Sequence, residues 1–73
     1  MNVEKIIEKM HNQPNGIRCE EASKVLEHFG YNLDRQKGSH MQYVNKKGDV
    51  FTLKKESLLK AVYVKEILAR ISK

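Results

Sequence analysis

The interval between apolar residues changes twice along this chain, and no single class of secondary structure accommodates both changes. Val3, Ile6, Ile7 and Met10 fall three and four positions apart, the stripe of a short amphipathic helix. Ala22, Val25, Leu26 and Phe29 repeat that spacing, which predicts a second helix over residues 20–29. Beyond Gly30 the interval drops to two. Tyr31, Leu33 and Arg35 alternate with Asn32, Asp34 and Gln36, predicting a first strand; residues 39–45 read as a second and residues 49–54 as a third. Val64, Ile67, Leu68 and Ile71 restore the helical interval, so a last helix starts at residue 57 or 60 and runs to 71. The predicted fold is α+β in the order α-α-β-β-β-α, a three-stranded antiparallel sheet packed on helices.

Local chemistry punctuates these elements. Asn2 suits the cap of the first helix, and Gln13-Pro14-Asn15-Gly16 ends it with the residues of a type I turn. Glu20 and Glu21 favour the positive end of the second helix, and Gly30 stops it. Gly38 interrupts the first two strands. Asn45-Lys46-Lys47-Gly48 forms a hairpin loop with Gly48 in the left-handed position. Phe51 and Leu53 share one face of the third strand. Pairing them with Met41 and Tyr43 turns His40, Gln42 and Val44 outward.

A chain of 73 residues encloses one core and no more. Its single cysteine forms no internal disulfide and fits a reducing cytosol. The longest apolar run is four residues, Ala61-Val62-Tyr63-Val64, far short of a membrane span. Glu4 and Glu8 among the N-terminal apolar residues argue against a signal peptide. Charge is divided unevenly. Residues 1–36 hold five Lys/Arg against six Asp/Glu, whereas residues 37–73 hold nine against three. That asymmetry suggests a surface facing a polyanion, with nucleic acid ahead of an acidic protein.

The inventory of reactive side chains is short. His11 and His28 lie at helix ends, where the helix dipole favours an imidazole whether or not it has a task. One cysteine and three scattered histidines give no metal-ligand spacing, so neither a metal nor a cofactor is expected. Cys19 fits a helix N-cap better than a nucleophile. His40 follows Gly38-Ser39 at a strand start, near Lys37, on the side predicted to be exposed. A lone strand histidine is most often structural. With a basic half around it, His40 also suits RNA cleavage, in which the substrate's own 2′-hydroxyl is the nucleophile. The protein then supplies a proton shuttle working near neutrality and positive charge for the phosphate.

The segment Arg35-Gln36-Lys37-Gly38-Ser39-His40-Met41-Gln42-Tyr43 resembles the Gly-Ser-His strand of the HicA toxins of bacterial and archaeal HicA–HicB toxin–antitoxin pairs. The likeness continues upstream through Ile17-Arg18-Cys19 and Val25-Leu26-Glu27-His28-Phe29-Gly30-Tyr31. Downstream it runs through the hairpin, Phe51-Thr52-Leu53 and the helix containing Leu59 to Leu68. It covers about residues 17–71, so residues 1–16 read as an N-terminal helical extension to a toxin domain over residues 17–73.

The resemblance implies a fold like the double-stranded-RNA-binding domain and a cytoplasmic, metal-independent mRNA-cleaving toxin. Its essential histidine would be His40, and a HicB-type antitoxin would silence it. Lys37, Ser39, Gln42, Lys54 and Lys55 are the expected RNA-binding residues. The chain departs from the family in two places. Met41 stands where many relatives have a second histidine or an aromatic, and Lys54-Lys55-Glu56-Ser57 stands where many carry proline and histidine. A non-catalytic RNA-binding module of the same fold is the alternative, and a dock for an acidic protein alone is a third reading.

Overall fold

The computed structural model describes residues 2–72 and follows the predicted order. Helix α1 spans Val3–Asn12, α2 Cys19–His28 and α3 Ala61–Ile71; strands β1, β2 and β3 span Asn32–Lys37, His40–Val44 and Val50–Lys54. Asn2 caps α1 as expected, its Oδ1 accepting the Lys5 N–H at 2.9 Å. The following turn closes when the Gly16 N–H donates to the Gln13 carbonyl at 2.9 Å.

Helix α2 begins one residue before its predicted start. Its N-cap is Arg18, whose N–H is held by Glu21 Oε1 at 2.9 Å. Cys19 is therefore not the cap: it occupies the first helical position and its side chain is buried. The far end of α2 closes by a Schellman motif. Gly30, at φ 91°, donates to the Glu27 carbonyl and Tyr31 to the Leu26 carbonyl, at 3.1 and 2.9 Å. This geometry needs glycine at position 30 and delivers Tyr31, which is buried, to the start of the sheet.

The sheet is an antiparallel meander ordered β1-β2-β3. Gly38 and Ser39 make the two-residue turn between β1 and β2, so β2 begins at His40, one residue later than predicted. Gly38, at φ 59°, takes the first loop position, as in a type II′ hairpin. In the second hairpin Asn45 Oδ1 accepts the N–H groups of Lys47 and Asp49, at 3.0 and 2.9 Å. Met41, Tyr43, Phe51 and Leu53 point into the core, confirming the predicted strand phase.

The predicted alternation fails in β1. All six of its residues are exposed, and its register with β2 slips between Leu33 and Arg35. Asp34 is the extra residue of a bulge, so Leu33 and Arg35 do not share a face.

Helices α2 and α3 meet one side of the sheet, α2 through Cys19 at Met41 and α3 through Arg70 over Phe51. Helix α1 packs against both α2 and α3 and sends Ile6 and Met10 fully into the same core as Leu26, Tyr43, Leu53 and Ile67. Ser23 Oγ and Tyr43 Oη hydrogen-bond between α2 and the sheet. No helix among the described residues is long and apolar enough to cross a membrane.

Candidate functional site

The helices leave the opposite side of the sheet open, and strand phase decides what stands there. Because Met41 and Tyr43 turn inward, His40 and Gln42 turn outward; His40 is exposed and Gln42 half-buried. Register supplies the neighbours. Lys37 lies opposite His40 on β1, and Lys54 lies opposite it on β3. Directly opposed residues of an antiparallel ladder project to the same face. Neighbouring strands run roughly 4.8 Å apart, so two cations flank one imidazole across a width of about 10 Å. A second row follows along the strands, with Gln42 between Arg35 and Thr52.

The charges of this face are uncompensated. The ion pairs among the described residues join Lys9 to Glu21, at 3.1 Å, and Arg70 to Asp49 and Glu66, at 2.6 and 2.9 Å. Among the described residues none pairs with the side chains of Arg35, Lys37 or Lys54. The one strand carboxylate, Asp34, sits in the bulge and belongs to neither row.

The structure thus gathers His40, Lys37, Gln42 and Lys54 on one face, with Ser39 in the adjoining turn. It separates Lys55. The Lys55 N–H donates to the Ser39 carbonyl at 2.7 Å, prolonging the β2–β3 ladder by one step. Its side chain, one position beyond Lys54, goes to the other side and borders a small depression with Cys19, Glu20 and Met41. The phase that turns Leu53 inward and Lys54 outward contained that answer. Arg35 and Thr52 are the members of the face that sequence reasoning missed. Alternation back from Lys37 reaches Arg35 two residues earlier; the bulge takes Leu33, not Arg35, off that face.

The remaining candidates lie away from this face. Cys19 Sγ lies 3.5 Å from Met41 Sδ, and burial pushes its thiol above the ordinary range, so it is a poor nucleophile. That contact also accounts for Met41, which fills the core. His28 packs edge-on against Phe29, with ring centroids 5.1 Å apart, and His11 lies exposed in the last turn of α1. Among the described residues no group of three or more His, Cys, Asp or Glu could hold a metal ion.

A second polar cluster stands at the opposite end of the sheet. Tyr31 Oη donates to Asp49, which also accepts from Arg70, and the Arg70 guanidinium lies 5.2 Å from the centre of the Phe51 ring. The hydrogen bond to Asp49, followed by burial, holds the Tyr31 phenol above its usual range. These groups are mutually satisfied and tie α3 to the β2–β3 hairpin.

Against known families, residues 19–71 match the model described as the HicA toxin of bacterial toxin-antitoxin pairs. The matched segment contains α2, all three strands and α3, including both rows of the open face. No curated protein and no solved structure matches the chain.

Proposed function

The chain belongs to the HicA toxin family, which makes it the toxin of a toxin–antitoxin pair, and we propose that it is a metal-independent endoribonuclease that cleaves mRNA in the cytoplasm through His40. One observation carries this reading: the sheet register stands His40 between Lys37 and Lys54, neither of which has an ion-pair partner among the described residues.

Cleavage of RNA needs little more than that arrangement. The 2′-oxygen bonds to phosphorus as it loses its proton, and the bond from phosphorus to the 5′-oxygen breaks as that oxygen gains one. His40 serves one of these two transfers, as base at the 2′-hydroxyl or as acid at the leaving oxygen, and water serves the other. A positioned proton carrier of this kind contributes about 10²–10⁴-fold. Lys37 and Lys54 hold the phosphate and offset the negative charge that builds on it. Ser39 and Gln42 orient the strand beside them. A HicB-type antitoxin is the partner that neutralises the toxin.

The test is cleavage of RNA by the purified protein and its His40→Ala variant in EDTA, with folding of both verified by circular dichroism. Cleavage by the wild type alone is expected. Loss of wild-type cleavage on chelation would overturn the metal-independent mechanism, and equal cleavage by both proteins would remove His40 from it. RNA retained by both without cleavage would instead establish a binding module, the reading favoured by a face that offers one imidazole and no second proton carrier of its kind.

A further inference from the structure

Strand β1 is exposed along its whole length and changes phase at a bulge, so its two ends present side chains to opposite sides of the sheet. The two-residue turn at Gly38-Ser39 fixes Lys37 opposite His40, so Lys37 and Arg35 must face outward. At the other end of the strand, Leu33 lies opposite Tyr43, whose side chain faces the core. Leu33 and Arg35 would share a face in an unbroken strand, and the extra residue, Asp34, separates them. The turn register places a third cation, Arg35, on the open face beside Lys37, and the bulge leaves Leu33 on the side of Tyr43.

Arg35 has the surroundings of a phosphate contact. It is exposed, and among the described residues it has no ion-pair partner, whereas the other sheet-proximal arginine, Arg70, is fully engaged by Asp49 and Glu66. Across the row it faces Gln42 and then Thr52, two neutral side chains able to donate to an anion without competing for the guanidinium. Rows two residues apart lie about 7 Å from each other, close to the span of one nucleotide in an extended strand. The two rows contain no phenylalanine, tyrosine or tryptophan, so they offer no platform on which bases would stack.

We infer that Arg35, with Gln42 and Thr52, forms a second phosphate subsite one nucleotide from the bond presented to His40, holding RNA by its backbone and without reading its bases. This rests on the ribonuclease reading above. Arg35 is a positioning residue: it grips the strand equally before and during the reaction, so its loss raises KM and leaves kcat nearly unchanged.

The experiment measures retention of a short 2′-O-methyl RNA, which lacks the attacking hydroxyl, by the full chain across a salt series. It compares wild type with Arg35→Gln, Arg35→Lys and, as a surface-charge control, Lys46→Gln in the distal hairpin. Arg35→Gln should weaken binding about fivefold at low salt, the scale of one exposed charge pair. It should also flatten the slope of log K against log salt by about 0.7, the value for one contact on a single strand. Arg35→Lys should keep the slope. With cleavable RNA, Arg35→Gln should raise KM by a similar factor. An unchanged slope in Arg35→Gln, an equal loss in Lys46→Gln, or a fall in kcat alone would each overturn the subsite while leaving the ribonuclease reading intact. Wild type that neither retains nor cleaves RNA would overturn both.

Discussion

Removing α1 should unfold the protein, although α1 lies outside the segment that defines the family. The family match begins at residue 19, yet Ile6 and Met10 are both 0% exposed and stand in the one core cluster. Full burial of such a side chain contributes about 1.5–3 kcal/mol, so the two together supply about 3–6 kcal/mol. A chain of this length has a total stability of about 4–11 kcal/mol on the usual per-residue range. The helix therefore accounts for a share comparable to the whole margin, before Val3 and Ile7 are considered. Met10→Ala alone should cost about 2–5 kcal/mol. At about 4–8 °C per kcal/mol for a domain this small, that lowers Tm by about 8 °C at the least. Thermal and urea melts followed by circular dichroism would read both effects, comparing the full chain, Met10→Ala and a chain cut to residues 17–73. A truncated chain that melts cooperatively within a few degrees of the full one would refute the reasoning. It would show that α1 covers a core able to close without it.

Two further outcomes follow from the charges and the thiol. Burial raises the Glu21 carboxyl, but the Arg18 N–H and the Lys9 ammonium outweigh it and hold its pKa below the usual range. Its stabilising contribution is thus complete above the unfolded value near 4.3 and is lost as pH falls through the lower folded value; Glu21→Gln should remove that part of the acid limb in a plot of Tm against pH. Cys19, buried and with its thiol pushed upward, should resist iodoacetamide in the folded protein and react promptly in denaturant. Labelling at equal rates in both states would contradict its place in the core.

The features legible in the sequence were those set by short-range chemistry. The Asn2 cap, the stop at Gly30 and the left-handed Gly48 each depend on a few neighbouring residues, and the structure has all three. The phase of β2 and β3 was legible because Met41, Tyr43, Phe51 and Leu53 can share only one face, and that phase brought His40 outward. The start of α2 is hard to place from sequence, because only the packing of Cys19 against Met41 shows that this residue lies inside the helix and the core. Strand β1 was the least legible. Exposed throughout, it has no buried side chains to betray its phase, so its bulge is decided by pairing with β2 at both ends. That long-range decision hides the phase of Leu33, whereas Arg35 follows by alternation from Lys37.

The distribution of ion pairs separates the two ends of this small sheet. At the hairpin end, Arg70 is matched by Asp49 and Glu66, and at the α1–α2 contact Lys9 is matched by Glu21. At the other end Arg35, Lys37 and Lys54 share one face with no carboxylate in either row. Folding gains nothing from that gathering, since like charges roughly 10 Å apart repel, though water and salt weaken the effect at about a Debye length. The chain contains carboxylates enough to pair these groups, and it spends three of them on Arg70 and Lys9 instead. Its one carboxylate within β1, Asp34, is the unpaired bulge residue and stands in neither row. Such a face is what the proposed RNA-cleaving reading requires, with His40 between Lys37 and Lys54 in its first row.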